Sequence, residues 1–537
     1  MLADRLPDLL HLEPRAGADA KLLGELLELA FLGSDPGARI DEVLSASSLS
    51  ASPFHPQLFA ADLFLRDLVS GCLRVRLDEE EFPLHLPFLE RVLSRPPADL
   101  ETVRFRQAIL RELEKDDELR ARCEELYRRL FRMLSLFKAP RSGARLNTVG
   151  FRLEILTHAR QIIDAMAKGF ASASSGLARL SEAGRAIQRT DDYRLLSDLL
   201  DFEGDLSELT LKIRLGADGR IRHFEVASMG ERRDNPFYRS PWRRWRDELR
   251  LLWRRYDVGQ RDVVSRTILD VYLRLAPSLR SLLQVLGHLE VYLASRGFAE
   301  LARARGLEVS LAELGSAPGY RLEGLFNPLL MIGGETWPVP CSLASERAAP
   351  ISLVTGPNSG GKTRLLQAIG LAQLLGQSGL YVPAATARLP LATGLFASII
   401  EREAVDQAEG RLGSELMRIR ALFESVGPGA LVLLDELCSG TNPSEAVEIV
   451  SMVLDLLAEL RPTAFITTHF LDFAQRLAEE SPGRLEFLQV EIDEHQRSTY
   501  QFVPGIASTS LAAGLAHRLG VTFEELSALV ERHRSGE

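Results

Sequence analysis

The sequence has few cysteines and no long apolar run, and both absences exclude whole classes of protein. Its 537 residues include four cysteines, with no CxxC pair and no histidine at the spacing of a metal ligand. A disulfide framework and a zinc site are therefore not expected, and a reducing cytoplasm fits. No apolar run reaches the roughly 18 residues of a membrane span, and the N-terminus lacks the apolar stretch of a signal peptide. We expect a cytoplasmic protein with no membrane partner.

An excess of positive charge is also missing. The chain carries 64 Lys and Arg against 74 Asp and Glu, which gives a formal net charge of −10. This balance argues against a globally basic nucleic-acid coat, but not against a local basic patch, because phosphate binding depends on the local field. The length exceeds what one hydrophobic core accommodates, so several domains are expected.

Helical periodicity dominates the first half of the chain. We divide it into a helical region over 1–95, a long-helix domain over 96–205, a central segment over 206–260 and returning helices over 261–315. Residues 209–226 alternate apolar and polar side chains around a Gly-bounded turn, which predicts a β-hairpin. The first half is therefore predicted to be mainly α with a small β insert.

The pattern changes near residue 316. Short apolar runs over 351–355, 430–434 and 463–467 alternate with helical segments. This alternation is typical of βαβ units and predicts a parallel sheet. We assign 316–505 to an α/β domain and 506–537 to a C-terminal helical segment.

A phosphate-binding motif follows the first of these apolar runs. Residues 356–363 read Gly-Pro-Asn-Ser-Gly-Gly-Lys-Thr, which matches GxxxxGK[ST] between a strand and a helix. Glycines let backbone N–H groups approach phosphate oxygens, and the helix N-terminus adds partial positive charge. Lys362 is predicted to reach the β- and γ-phosphates of ATP, and the Thr363 hydroxyl to bind Mg²⁺. The predicted nucleotide contacts in this loop are Gly356, Pro357, Asn358, Ser359, Gly360, Gly361, Lys362 and Thr363.

Two further strand ends carry candidate catalytic groups. The apolar run over 431–434 leads into Asp435, predicted to hold Mg²⁺, and Glu436, predicted to orient and deprotonate the attacking water. His469 closes another apolar run and is a candidate sensor of the γ-phosphate, with a purely structural histidine as the alternative. These residues predict a P-loop ATP hydrolase that uses ATP and Mg²⁺.

Several strings together resemble the MutS family of ATPases. The phosphate loop is similar to that family's GPNxGGKS/T motif. Other similar strings are 101–109 (RQxxI helix), 379–384 (GxYVPA), 435–441 (DExxxGT), 468–470 (ATHY/F) and 500–505 (YxLxPG). The resemblance implies core and lever helices with a clamp-like insert, then a P-loop NTPase domain of the ABC/MutS type. It also implies a homodimer formed through a C-terminal helical dimerisation motif over 506–537.

The chain also departs from that family. Its Phe-x-Glu tripeptides at Phe88, Phe298 and Phe523 lack the Gly-x-Phe-x-Glu context of the mismatch-reading wedge. We therefore expect neither the N-terminal mismatch-recognition domain nor a C-terminal nuclease domain. The family's signature loop, GxSxFxxE, corresponds to 408–415, which looks about two residues short, and its signature serine is displaced or absent. This departure argues against efficient activation across a dimer.

An aromatic residue ahead of the phosphate loop is the candidate for adenine stacking. The resembled family uses an aromatic residue about 18 positions before the loop, and Trp337 stands 19 residues before Gly356. The alternative is a buried tryptophan with no ligand role.

The central segment offers a candidate DNA contact. In the resembled family a clamp between two lever helices touches DNA, and the predicted hairpin holds that place in the order of elements. Arginines interleaved with aromatic residues follow it, which suits phosphate contact. Alternatively, Trp242, Trp245 and Tyr256 form the core-facing stripe of a helix whose arginines are solvated or paired. The candidate DNA-contacting residues are Arg232, Arg233, Arg239, Arg243, Arg244 and Arg246.

Two functions compete at this point. The first is a MutS-like ATPase whose ATP-driven conformational switch acts on duplex, mismatched or branched DNA in DNA repair or recombination control. The second is a MutS-derived ATPase switch that acts on a protein partner without mismatch recognition. The family resemblance and the arginine-rich segment favour the first. The altered signature loop and the net charge favour the second.

Overall fold

The computed structural model describes most of the chain. The described residues are 7–15, 17, 19–32, 37–138, 149–205, 208–215, 221–230, 260–315, 319–333, 337–357, 359–399, 410–438, 442–495, 497–507 and 523–535. Contacts divide the chain into two compact units. The first comprises Met1–Leu9, Pro14–Ser47 and Asp116–Gly287, and the second comprises Leu10–Glu13, Ser48–Lys115 and His288–Glu537.

Sixteen strands occur in the described residues. In chain order they are β1 (Val75–Leu77), β2 (Glu80–Phe82), β3 (Glu208–Leu215), β4 (Ile221–Gly230), β5 (Ser310–Leu311), β6 (Glu313–Leu314), β7 (Tyr320–Leu325), β8 (Cys341–Ser345), β9 (Ile351–Thr355), β10 (Tyr381–Val382), β11 (Thr386–Leu389), β12 (Leu395–Ser398), β13 (Leu431–Leu434), β14 (Thr463–Thr468), β15 (Glu486–Ile492) and β16 (Ser498–Pro504).

The first unit is built mainly of helices. They are Ala20–Leu32, Gly37–Ser45, Asp117–Lys138, Val149–Gly169, Ala178–Gln188, Asp191–Asp205 and the first part of a long helix, Gln260–Arg303. Phe31 stacks on Tyr272 with ring centroids 3.7 Å apart, and the Tyr272 hydroxyl donates to the Leu27 carbonyl at 2.7 Å. Gly184 permits close helix packing, because a Cβ there would lie 2.5 Å from the Ala167 nitrogen. The helix-rich first half agrees with the periodicity.

The hairpin predicted over 209–226 is present. β3 and β4 pair antiparallel, with Leu209 opposite Met229 and Ile213 opposite Phe224. The candidate DNA-contacting arginines that follow lie outside the described residues. Their predicted role is therefore carried forward as a proposal.

The second unit combines helices with sheets. Its helices are Leu65–Gly71, Leu86–Ser94, Leu100–Lys115, the remainder of the long helix, Lys362–Gln377, Gly410–Ser425, Pro443–Leu460, Leu471–Glu480 and Phe523–Ser535. The largest sheet has the order β12-β13-β14-β9-β15-β16, and a smaller one the order β6-β11-β7-β8. In the large sheet all neighbours from β12 to β15 pair parallel, and only β15–β16 is antiparallel. The predicted parallel sheet is thus confirmed.

Helices pack on both faces of the large sheet. Strands β9, β13 and β14 are buried at every residue, as expected for parallel strands covered on both sides. Val432 and Leu434 share a core cluster with the helices Gly410–Ser425 and Pro443–Leu460. Leu433 points the other way, because a Cβ on Gly370 of the helix Lys362–Gln377 would lie 2.8 Å from its Cδ1. The carboxyl ends of the parallel strands consequently meet at one edge, where ligands bind in sheets of this kind.

Among the residues that the structure describes, none forms a helix with both the length and the apolar character that crossing a bilayer requires.

Candidate nucleotide site

The loop after β9 has the backbone that its glycines permit. Gly356 and Gly361 have φ of +142° and +86°, in the region that side chains disfavour. Space is restricted as well, since a Cβ on Gly356 would lie 2.7 Å from Val490 Cγ2. The Gly360 amide donates to the Pro357 carbonyl at 2.9 Å, which closes the turn. The loop therefore delivers the chain directly to the helix that begins at Lys362.

Lys362 lies across this loop. Its side chain is only 3% exposed, and Nζ donates to the carbonyl oxygens of Gly356 at 3.0 Å and Pro357 at 3.1 Å. Nζ also lies 3.3 Å from Glu436 Oε1. A buried ammonium group next to the N-terminus of a helix forms an electropositive pocket that suits phosphate oxygens. Ser359 and Gly361 line the same cleft as Lys362, while Asn358 lies outside the described residues.

Asp435 directly follows β13 and is hydrogen-bonded to the phosphate-loop helix and to β14. Its Oδ2 accepts a hydrogen bond from the Thr363 hydroxyl at 2.6 Å, and its Oδ1 accepts one from the Thr467 hydroxyl at 2.5 Å. Burial raises the pKa of the Asp435 carboxyl above its ordinary value, and the hydrogen bonds from Thr363 and Thr467 oppose that rise. A buried carboxylate is stabilised by a bound cation.

Thr363 and Asp435 fit a magnesium ion. They place a hydroxyl and a carboxylate oxygen side by side, and Mg²⁺ in phosphate-transfer sites takes one or two protein oxygens, with water and substrate phosphates completing an octahedron. The described residues contain no group of three or more His, Cys, Asp or Glu side chains able to hold a metal by themselves.

Glu436 has an unusual backbone conformation. Its φ is +45°, which is uncommon for any residue other than glycine and costs conformational energy. The Glu436 amide donates to the Thr467 hydroxyl oxygen at 3.0 Å, which fixes this conformation. Its Oε2 lies 3.7 Å from Nδ1 of His469, at the end of β14. Lys362, Thr363, Asp435, Glu436 and His469 thus come together at one edge of the sheet.

A cleft of about 710 Å³ is lined by two of these residues, Lys362 and Thr363. Trp337 lines this cleft and is 64% exposed. This exposure argues against the alternative interpretation, a buried tryptophan with no ligand role. Tyr500 and Phe64 are also partly exposed in this cleft. Three aromatic side chains around a polar phosphate loop are suited to a ligand with both a ring system and phosphates.

Two residues of the site were missed by the sequence reasoning. Tyr500, on β16, has φ of +59°, and its Cδ1 would lie 3.1 Å from a Cβ on Gly361. Tyr500 belongs to a string that resembles the MutS family, yet the string itself does not indicate contact with the phosphate loop. Thr467 closes a predicted apolar run, and the sequence assigns it no other role. In the structure its hydroxyl donates to Asp435 and accepts from the Glu436 amide.

The segment predicted to act as a signature loop is only partly described. The helix Gly410–Ser425 contains Ser414 and Glu415, and residues 401–409 lie outside the described residues. The shortened signature loop over 408–415 therefore stays a prediction.

Comparison with known proteins agrees with this geometry. Residues 352–523 match the family model of MutS domain V. The chain is 33% identical over 270 residues to Endonuclease MutS2 of Thermus thermophilus, covering 50% of this chain and 34% of the relative. It is 29% identical over 300 residues to Endonuclease MutS2 of Thermomicrobium roseum, covering 54% and 37%. It is 36% identical over 214 residues to Endonuclease MutS2 of Pelotomaculum thermopropionicum, covering 39% and 26%.

These matches support a MutS-family protein. The domain V match begins within β9 and includes the phosphate loop, Asp435, Glu436 and His469. The chain spans about a third of the length of the first curated relatives it matches. What those whole proteins do is therefore not transferred to this chain by the match alone.

Proposed function

We propose that this protein is a MutS-type ATPase that binds and hydrolyses ATP with Mg²⁺ and acts on DNA in repair or recombination control. The observation that carries the proposal is the convergence of Lys362, Thr363, Asp435 and Glu436 at one sheet edge. All four lie in the part that matches MutS domain V.

Each residue has a distinct proposed task. The loop amides and the Lys362 ammonium group bind the β- and γ-phosphates, and Thr363 and Asp435 hold Mg²⁺. The Glu436 carboxylate orients the attacking water and accepts its proton, while His469 contacts the γ-phosphate end. Bound Mg²⁺ neutralises charge on the phosphate oxygens. Because Lys362 Nζ lies beside Glu436 Oε1, nucleotide binding exchanges that ion pair for a lysine–phosphate contact and frees the carboxylate.

The aromatic residues of the cleft bind the base. Trp337 is proposed to stack on adenine, and Tyr500 lies against the loop at Gly361, where it bounds the same space. Stacking of this kind adds about 0.5–1.5 kcal/mol beyond the area buried.

The partners are proposed from the family likeness. DNA is the proposed partner of the segment after the hairpin, a homodimer the proposed assembly, and the cytoplasm the proposed location. The net charge of −10 supports one alternative, in which the ATPase switch acts on a protein partner. The relatives are named endonucleases, and this proposal includes no nuclease activity.

One experiment separates these functions. The ATPase rate is measured with and without duplex, mismatched and branched DNA at low salt, with Lys362→Ala as the blank. Stimulation by DNA together with a gel shift supports the DNA-coupled function. If DNA changes neither the rate of ATP hydrolysis nor the mobility of the protein in a gel, the result supports the protein-partner switch instead. Hydrolysis equal to that of the Lys362→Ala blank would refute the ATPase itself.

A further inference from the structure

A segment far upstream of the phosphate loop contributes Phe64 to the cleft that Lys362 and Thr363 also line. Leu63 is fully buried, and a Cβ on Gly370 would lie 2.7 Å from its Cδ2. Gly370 comes two helical turns after Thr363 on the helix Lys362–Gln377, so both share one helix face. Leu63 therefore packs on the helix face to which Thr363 also belongs.

The neighbouring Asp62 holds the end of strand β12. This carboxylate is 1% exposed. Its Oδ1 accepts a hydrogen bond from the Ile399 amide at 2.9 Å, and its Oδ2 accepts one from Arg418 at 2.7 Å. Arg418 also donates to the Ala397 carbonyl. Two contacts thus secure the carboxyl end of β12 to a residue from the first part of the chain.

The peptide group that Asp62 holds is also bonded to the acidic strand. The Asp435 amide donates to the Ser398 carbonyl at 2.9 Å, and that carbonyl shares its peptide group with the Ile399 amide. Asp62 and the Asp435 backbone therefore bind opposite ends of one peptide. Hydrogen bonds in such a chain polarise and strengthen one another.

The conformation of the upstream segment is itself constrained. Phe64 lines the cleft with φ of +50° and ψ of +45°. A bulky side chain in this left-handed region costs roughly 1–2 kcal/mol, and it persists only where surrounding contacts enforce it. The buried neighbours Leu63 and Leu65 supply such contacts.

We propose that Asp62 is a positioning residue for the Mg²⁺ ligand Asp435. The inference rests on the proposed ATPase function. Asp62 fixes the peptide between Ser398 and Ile399, and this peptide fixes the backbone from which the Asp435 carboxylate meets Thr363. The phosphate loop, Trp337 and Tyr500 are not part of this chain of hydrogen bonds, so we expect binding of the nucleotide without metal not to depend on it.

The test compares nucleotide binding with and without metal. Full-length protein is titrated with a fluorescent, non-hydrolysable ATP analogue in Mg²⁺ and in EDTA. In Asp62→Ala we expect the tightening that Mg²⁺ produces to fall about tenfold, in line with the effect of removing outer-shell partners of metal ligands. We expect the Kd in EDTA to stay within about twofold of the wild-type value. A tenfold change in this Kd would correspond to about 1.4 kcal/mol. Asp62→Asn keeps an acceptor for the Ile399 amide and restores most of the tightening.

Two further variants make the result decisive. Asp67→Ala removes an exposed carboxylate nearby on the helix Leu65–Gly71 and leaves both constants unchanged. Asp62→Ala/Arg418→Met removes both members of this ion pair together. It decides the question, on the same readout, if Asp62→Ala shows no cooperative melt by circular dichroism. If Asp62→Ala weakens nucleotide binding equally in Mg²⁺ and in EDTA, the role of Asp62 is merely structural. If both Kd values are unchanged, Asp62 has no role in binding. Either result overturns the inference. A wild-type chain that binds nucleotide without any effect of Mg²⁺, or not at all, refutes the proposed function and this inference with it.

Discussion

Glu436 combines a strained backbone with two charged neighbours. Its φ of +45° is held by the bond from its amide to Thr467, and its carboxylate lies between Lys362 and His469. Strain of this kind, about 1–3 kcal/mol, occurs where function requires a particular side-chain direction. The direction of this carboxylate is therefore set by the backbone at the end of β13.

Replacing this carboxylate by its amide separates binding from hydrolysis. In Glu436→Gln we expect kcat for ATP to fall about 10²–10⁴-fold, the range for loss of a general base. The Kd for ATP changes little or decreases, because Lys362 loses its competing ion pair. Stopped-flow phosphate release and equilibrium titration measure the two quantities. Normal turnover in this variant would remove Glu436 from the proposed mechanism.

Tyr500 contributes to the cleft from β16, in a string whose sequence does not itself indicate a nucleotide contact. In Tyr500→Ala we expect the Kd for ATP to rise about 2–12-fold, the equivalent of 0.5–1.5 kcal/mol for an aromatic contact. The kcat at saturating ATP is unaffected, since the hydrolytic residues are unchanged. Tyr500→Phe, which keeps the ring, serves as the control in the same titration. An unchanged Kd in the alanine variant would place Tyr500 outside the nucleotide contacts.

The sequence predicts some residues of this site and misses others for a physical reason. Lys362 and Thr363 are predictable because one short loop must wrap phosphate oxygens, so their spacing is fixed along the chain. Asp62 reaches the end of β12, and Tyr500 reaches the cleft, only through tertiary packing, from segments about 300 residues upstream and 138 residues downstream of Lys362. No local pattern encodes such an approach.

At the scale of elements, the carboxyl end of β14 organises the acidic end of β13. The Thr467 hydroxyl donates to Asp435 and accepts from the Glu436 amide, so one side chain joins the two strands. Because both bonds are short and partly buried, the hydroxyl contributes to the geometry of the proposed metal site as well as to the sheet.

Removing that hydroxyl tests the junction. Thr467→Val keeps the shape of the side chain and leaves the Glu436 amide without its acceptor. We expect unfolding to be easier by about 1–3 kcal/mol, and the Mg²⁺ concentration for half-maximal ATPase rate to rise about tenfold or more. Thr499→Val, at a half-buried threonine on β16 whose hydroxyl donates to the Glu491 carbonyl, is the matched control. Denaturant titration and a Mg²⁺ series measure the two effects, and an unchanged Mg²⁺ series would confine Thr467 to the sheet.

Elements were predictable where their burial was uniform. β9, β13 and β14 are buried at every residue, so their apolar runs stand out in the sequence. β5 and β6 have two residues each and carry no such run. The helix Gln260–Arg303 continues through Pro277 even though proline removes a backbone donor, because packing along its length outweighs that loss.

At the scale of the whole molecule, each compact unit gathers segments that are distant in sequence. The long helix begins in the first unit and ends in the second, and residues 48–115 join the C-terminal half. Composition and periodicity report local structure, so contiguous domain boundaries were the natural prediction, and these long-range associations follow from packing alone.

The proposed coupling of the ATPase to DNA concerns the whole chain, and its candidate contact follows the hairpin. If Arg243 and Arg244 each neutralise one DNA phosphate, Arg243→Glu/Arg244→Glu lowers the slope of log K against log salt by about 1.8, since each phosphate contact contributes about 0.9. DNA stimulation of the ATPase falls with it, while the rate without DNA is unchanged. Arg194→Glu, at an exposed arginine paired with Asp191, is the control and keeps the wild-type slope. If the slope of the double variant is unchanged and DNA binding is intact, the DNA contact lies elsewhere. That result would support the alternative interpretation, in which Trp242 and Trp245 belong to the core-facing stripe of a helix whose arginines are solvated.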